Sequence, residues 1–279
     1  MSSDNASQTT TTRARPSRLA PTLLGVLAVA LAALYVLEPS PGSAERKGPA
    51  AGFTEEQTRS IEATIKSYLV EHPEIMIEVQ AALEAKMAKE EAEKTKAMVA
   101  ANAKELYRQA DDAVAGNPNG DITVVEFFDY NCGYCKRGFP GVAKLLESDK
   151  NVRFVFKELP IIREESEAPS RIALAAKRQG KYWELHQALI KLRGTVNEAE
   201  ALKQAEKLGL DMAKLKTDMA SPEVKAELER IKALAQKMGI NGTPHFLVGD
   251  RAIGGAPENL ADVLEGHITE LRKAGCSYC

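Results

Sequence analysis

The chain has 279 residues, with 37 Lys and Arg against 39 Asp and Glu, so it lacks the basic surplus that a nucleic-acid partner selects. Its 44% hydrophobic content is that of a globular protein, and the length allows one full domain plus accessory segments. The 4 cysteines are too few for a disulfide-built scaffold, and their grouping as two Cys-x-x-Cys pairs points instead to redox or metal chemistry.

Residues 1–18 read as a polar N-terminal tail, cytoplasmic, with Arg13, Arg15 and Arg18 next to an uncharged Leu/Ala/Val run over 19–37. At 1.5 Å per helical residue that run reaches about 28 Å, the thickness of a bilayer core. The flanking arginines keep the N-terminus inside, so the rest of the chain is expected to be exported. A retained anchor and a cleaved signal, with small residues at Gly42-Ser43-Ala44, are both open. No paired arginines and no cysteine precede Cys132, which argues against Tat export and an N-terminal lipid anchor. Residues 38–52, rich in Pro and Gly, form a linker.

The segment 53–112 is predicted helical. Thr54 and Gln57 form a capping box, and Ile61, Ile65, Tyr68 and Leu69 give an apolar face. His72-Pro73 interrupts it. A second helix from about Pro73 to Asp111 carries Ile75, Val79, Leu83 and Met87, then a charged stretch from Lys89 to Lys96, then Met98 and Leu106. Pairs such as Lys86–Glu90 support its exposed side. So long a stripe suggests self-association; the alternative is that it lies on the chain's own downstream domain.

Gly116-Asn117-Pro118-Asn119-Gly120 reads as a linker, with a domain expected over 118–273. Ile122 to Phe128 is a β-branched and aromatic run that predicts a buried strand. Cys132-Gly133-Tyr134-Cys135 follows, at the start of a helix marked by Phe139, Val142, Leu145 and Leu146. Val152 to Glu158 predicts a second strand, and about 164–238 a helical block broken near Gly180, Gly194 and Gly209. Gly242-Thr243-Pro244-His245 precedes the strand Phe246-Leu247-Val248, a Gly249-Asp250 turn and Arg251-Ala252-Ile253. A closing helix is expected over Pro257 to Lys273, and the tail 274–279 holds Cys276 and Cys279.

Two thiols three residues apart at a helix N-terminus can close a small disulfide ring and reopen it. The helix dipole and the unpaired N–H groups of the first turn favour a thiolate on Cys132. Cys132 is therefore the expected exposed nucleophile and Cys135 the resolving thiol, with Gly133 and Tyr134 tuning the pair. The redox-active disulfide needs no cofactor and no metal. Glu126, within the apolar strand, is placed to accept the proton of Cys135 if desolvation raises its pKa; the alternative is a sheet-edge residue facing water. Arg153 and Lys157 share one strand face, and either could partner it. His245 and His186 are expected to pack rather than react.

The Cys-x-x-Cys unit followed by Thr243-Pro244 resembles the thioredoxin superfamily, and Val125-Glu126-Phe127-Phe128-Asp129-Tyr130-Asn131-Cys132 resembles its DsbA-like branch. The resemblance spans roughly Phe53 to Arg272, and the N-terminal helical segment narrows it to ScsC-like and Com1-like members. It implies an α/β, thioredoxin-like fold with an inserted helical domain, preceded by a helical stalk and a transmembrane or signal segment. It also implies a cis Pro244 loop in which Thr243 and Pro244 hold substrate backbone beside the sulfurs, and a buried Glu126. Expected partners are exported thiol- or disulfide-containing proteins, a membrane redox partner and other copies of the chain, as a trimer; the expected location is the bacterial periplasm. Gly133-Tyr134 and Thr243 match disulfide isomerases of the branch more than its strong oxidase, which tilts the expected activity toward isomerase or reductase. The alternatives are a dithiol oxidase and, in another class, a copper-binding module. Cys-Gly-x-Cys also echoes the papain nucleophile, but Tyr134 and Lys136 depart from that motif. Cys276 and Cys279 depart from the family pattern: a local disulfide, a second redox pair relaying electrons to Cys132–Cys135, and a Cu(I) site are all compatible with them.

Overall fold

The structure is a computed structural model that describes residues 52–278. The expectation of an anchor or signal over 19–37 lies outside the described residues, as does Cys279; among the described residues no helix is long and apolar enough to cross a membrane. The chain divides into two units, Met1–Ile75 and Met76–Cys279.

In the first unit, helix α1 (Glu55–Glu71) begins at the reciprocal capping box of Thr54 and Gln57, both bonds present. Ile61, Ile65 and Tyr68 are exposed on it, and none of its residues is buried. Helix α2 (Glu74–Tyr107) starts after the His72-Pro73 break. Its two halves differ. Met76, Ile77, Val79, Leu83 and Met87 are exposed, whereas Val99, Leu106 and Tyr107 are fully buried. The apolar stripe thus packs on the chain's own sheet from Val99 onward and leaves its N-terminal half uncovered.

The second unit is built on a five-stranded sheet of order β1-β3-β2-β4-β5, with β1 (Ala113–Gly116), β2 (Ile122–Phe128), β3 (Val152–Glu158), β4 (His245–Val248) and β5 (Arg251–Gly254). Strands β2 and β3 run parallel, and the other pairings are antiparallel. Every residue of β2 and β3 is buried, which is why both read as continuous apolar runs. On one face, Val124, Phe128, Phe154, Phe156 and Phe246 join α3 (Gly133–Ser148), the closing helix α9 (Leu260–Ala274) and the inserted helices α4 (Glu167–Lys177) and α5 (Tyr182–Ile190). On the other, Val125, Phe127, Val155 and Leu247 meet the end of α2 and helix α8 (Pro222–Lys237). Helices α6 (Glu198–Lys207) and α7 (Met212–Met219) complete the insertion, starting at the side-chain caps Asn197 and Asp211. Gly180, Gly194 and Gly209 take positive φ at its breaks.

Two expectations change. The linker at Gly116 does not mark the start of the folded domain, because β1 pairs with β3 immediately before it and Gly116 itself closes the ladder opposite Arg153. At φ 72° and with a Cβ position 2.6 Å from the Val152 carbonyl oxygen, only glycine fits there. Nor does Arg153 or Lys157 partner Glu126. Glu126 is in register with Phe156, so both cations alternate onto the opposite face. There Arg153 donates to the Tyr107 carbonyl at 2.7 Å, and Lys157 donates to the Glu105 carbonyl at 2.7 Å and to Asp112 at 2.5 Å. Two cations at the C-terminal end of α2 suit the negative pole of its dipole and fasten it to the sheet.

Candidate active site

Strand β2 delivers the chain to Asp129, and a short loop carries it to Cys132, the N-cap of α3. Asp129 is fully buried and organises that loop: one carboxylate oxygen accepts from Asn131 N–H at 2.7 Å, the other from Ile161 and Ile162 N–H at 2.9 and 2.8 Å. The Asn131 side chain exchanges two bonds with the backbone of Val196 and donates to Ser166, tying the loop to the helical insertion. Lys136, one turn into α3, donates to the carbonyls of Leu192 and Gly194. In the sequence Asp129 and Asn131 stand within the run that carries the DsbA-like resemblance, with no role of their own assigned.

Strand β4 pairs antiparallel with β2, with His245 opposite Phe127, so the cis Thr243-Pro244 bond falls at the level of the loop. The structure therefore brings Cys132, Cys135, Thr243, Pro244 and Glu126 together. Cys132 and Cys135 are both free thiols. Cys132 Sγ accepts from Cys135 N–H at 3.4 Å and lies 3.0 Å from the Thr243 carbonyl oxygen, to which its S–H donates. The Thr243 loop covers the sulfur, leaving Cys132 only 4% exposed where an open thiol was expected. Tyr134 is exposed beside it, with the Arg137 guanidinium 4.0 Å above its ring, and Gly133 opens α3.

The two thiols have opposite electrostatics. Hydrogen bonding from the Cys135 side chain, then from Thr243 and the first-turn N–H groups, outweighs burial and brings Cys132 down to about 5. Thr243 acts on that sulfur in two senses. Its carbonyl favours the thiol, whereas its buried hydroxyl, without a partner in the dithiol state, finds an acceptor when the thiolate forms. The net fall shows that donors to the thiolate prevail. Burial pushes Cys135 far up, aided by its bond to Cys132 and the neighbouring Glu126. Glu126 is 5% exposed on a central strand, so the water-facing alternative does not hold. Burial first, then Cys132 and Glu158, hold its carboxyl well above the usual range.

His186 is buried, stacks on Trp183 and contacts Phe156 ring to ring, as a packing residue does; burial lowers it to about 3. His245 is half-buried at the start of β4. Cys276 packs on the α9 face of the core at Gly249, its sulfur disulfide-bonded. Gly249 follows the last residue of β4, while Pro244 precedes the first, and five residue steps at 3.3 Å each set them about 16 Å apart along the strand. Among the described residues no cluster of three or more His, Cys, Asp or Glu is arranged to hold a metal.

A strand leading into a Cys-x-x-Cys helix, a cis-proline loop on the first sulfur and an inserted helical domain define a thiol–disulfide oxidoreductase of thioredoxin-like fold. The chain belongs to the DSBA-like thioredoxin domain family, which residues 123–265 match, and residues 57–90 match the copper resistance protein ScsC N-terminal domain. A thioredoxin-like oxidoreductase from Silicibacter pomeroyi is 45% identical, the match covering 62% of this chain and 98% of that one at a TM-score of 0.59. Proteus mirabilis ScsC in a transitional conformation is 26% identical over 78% of this chain and 100% of that one, at a TM-score of 0.57. A Na(+)/H(+) antiporter, NhaA 1 of Salinispora arenicola, is 32% identical over 142 residues, 50% of this chain. The chain spans only 22% of that curated relative's length.

Proposed function

We propose that the protein is an exported disulfide isomerase or reductase, in which Cys132 attacks, Cys135 resolves and Glu126 handles the proton of Cys135. The observation that carries the reading is the split between the thiols: a Cys132 lowered to about 5 at a helix N-cap, three residues from a buried Cys135 raised far above it. At neutral pH the first sulfur is a thiolate, ready to attack and able to leave, and the second keeps its proton. The Cys132 thiolate attacks one sulfur of a substrate disulfide; that bond breaks, a mixed disulfide forms and the other substrate sulfur departs as a thiolate. Either a second substrate thiolate then attacks the mixed disulfide, returning Cys132 with the substrate rearranged, or Cys135 passes its proton to ionised Glu126 and attacks Cys132, releasing reduced substrate. In this reading Thr243, whose carbonyl lies 3.0 Å from the Cys132 sulfur, and the adjacent cis Pro244 present backbone to the substrate strand.

The low Cys132 pKa serves oxidation and isomerisation alike. The direction rests on Gly133-Tyr134 and Thr243, and on the exposed stripe of Met76, Ile77, Val79, Leu83 and Met87, which supports an oligomer that grips a substrate through repeated attacks. The apolar run at 19–37 and its preceding arginines support export into an oxidising compartment, with a membrane redox partner renewing the dithiol.

Scrambled ribonuclease, reduced ribonuclease and insulin separate the activities. Rescue of the scrambled protein by the dithiol form, with slow oxidation of the reduced one, is the expected result; the reverse order would make the protein an oxidase. Alkylation of the reduced protein near pH 6 is expected to label Cys132 before Cys135. Labelling of Cys135 first removes the assignment of roles.

A further inference from the structure

Glu158 ends β3 fully buried, and the exchange steps above give it no task. Its carboxyl gathers three hydroxyl donors from three separate elements. Tyr130 OH, in the active-site loop, donates to Oε1 at 3.1 Å; Tyr182 OH, on α5, donates to the same oxygen at 2.8 Å; Ser170 Oγ, on α4, donates to Oε2 at 2.8 Å. With the Tyr130 proton directed at Glu158, the 3.2 Å contact between its oxygen and His186 Nδ1 is made by an Nδ1–H, which fits an imidazole that burial keeps neutral. Three converging O–H donors favour the ionised form of a carboxyl, because a carboxylate only accepts.

Glu126 lies on the same sheet face. Phe128, two residues after it, is the register partner of Glu158, so the two glutamates are diagonal neighbours on that face, about 8 Å apart by the spacing between strands and the rise along them. Glu126 receives none of the hydrogen bonds found among the described residues, and the groups acting on it are Cys132 and Glu158, both of which oppose its ionisation. Asp129 and Tyr130 act on Glu158 from the loop, and Lys157 is held on the other face by Asp112. Two buried carboxyls, one rich in donors and one with none, differ in how readily they ionise.

We propose that Glu158 is a positioning residue for proton transfer at the active site: its hydroxyl cradle makes it the first of the buried carboxyl pair to ionise, so that the proton stays on Glu126, beside Cys135. The inference rests on the proton-transfer role of Glu126 proposed above. When a substrate thiolate attacks Cys132 of the active-site disulfide, the Cys132–Cys135 bond breaks and its electron pair leaves on Cys135; the Glu126 proton moves to that sulfur and leaves a carboxylate. In the reverse direction Cys135 returns the proton to Glu126 and attacks. Burial lifts Glu158 to about 8 against its three hydrogen bonds, and Glu126, which has no such bonds, is held well above the carboxylate range. The charge on Glu158 therefore tightens the grip of Glu126 on its proton on the alkaline side.

The test follows the infrared carbonyl band of protonated carboxyl groups, and the rate at which Cys135 resolves a mixed disulfide, across pH 6–10 in the full chain. The Glu126→Gln variant identifies the Glu126 band. Glu158→Gln is expected to move that band and the alkaline limb of the rate down by about one unit, the coupling of strongly interacting sites. Tyr182→Phe, which removes one donor from Glu158, is expected to move them the same way by less, and it decides the matter if Glu158→Gln does not fold. A band and limb that stay in place in both variants, or a Glu158 band that outlasts that of Glu126, overturn the proposal. If Glu126→Gln loses the band but keeps the rate profile unchanged, the carboxyl pairing stands and the proton-transfer role of Glu126 is what fails, taking the positioning role with it.

Discussion

Replacing Thr243 by valine isolates one contribution to the thiolate of Cys132. Valine keeps the β-branched shape and the carbonyl that sits 3.0 Å from Sγ, and removes only the hydroxyl, which is buried without a partner in the dithiol state. A hydrogen bond to a charged group contributes about 1.5–3 kcal/mol, and at 1.36 kcal/mol per pKa unit that is one to two units. Other donors, from Cys135 and Tyr134, remain to take up part of the loss, so the lower end is expected: Cys132 rises from about 5 to roughly 6. At pH 7 the sulfur is still mostly thiolate, so its nucleophilic population barely changes. What changes is the stability of the dithiol state, by about 1.4 kcal/mol, which lowers the reduction potential by about 30 mV. The ultraviolet absorbance of the thiolate against pH measures the first quantity, and equilibration with glutathione the second. A Cys132 pKa that stays put or falls would mean that the carbonyl, not the hydroxyl, dominates the contact, and the account of the thiolate would have to be rebuilt on α3 alone.

Glu126→Gln is expected to stabilise the oxidised protein at pH 7. The folded pKa of Glu126 is raised above 4.5, so its stabilising contribution is complete below about pH 4.5 and is lost as pH rises toward the folded value; the advantage of glutamine, read from urea midpoints, should shrink at pH 4. An advantage that does not depend on pH would refute the burial of an acid there. Lys157→Ala leaves Asp112 buried without its cation and is expected to cost about 3–5 kcal/mol in urea unfolding, whereas the exposed pair Lys86–Glu90 should tolerate alanine within about 0.5 kcal/mol. Trimming the chain before Lys89 keeps the buried Val99, Leu106 and Tyr107 along with β1 and is expected to give a folded monomer that reduces insulin but unscrambles ribonuclease poorly. Light scattering on both lengths checks it, and equal unscrambling would remove the N-terminal helices from the mechanism.

Much of this was legible in the one-dimensional pattern, because the signals are local. The uninterrupted apolar runs of β2 and β3, the Thr54 capping box, the glycine breaks of the insertion and the Cys-x-x-Cys at a helix start each depend on residues a few positions apart, where backbone sterics and hydrogen bonding act. Only the tertiary structure decided what depends on register and on which face a side chain takes. A shift of one residue sends a strand side chain to the other face, and β2–β3 pairing puts Glu126 and Glu158 on one face of the sheet while it sends Arg153 and Lys157 to the other, at the end of α2. The same pairing drew Ala113–Gly116 into the sheet ahead of a linker that composition alone placed outside it. Burial is likewise a property of the assembled layers: it separates the pKa of Cys132 from that of Cys135 and gathers Tyr130, Ser170 and Tyr182 around Glu158, from positions up to 52 residues apart in the chain that nothing local connects.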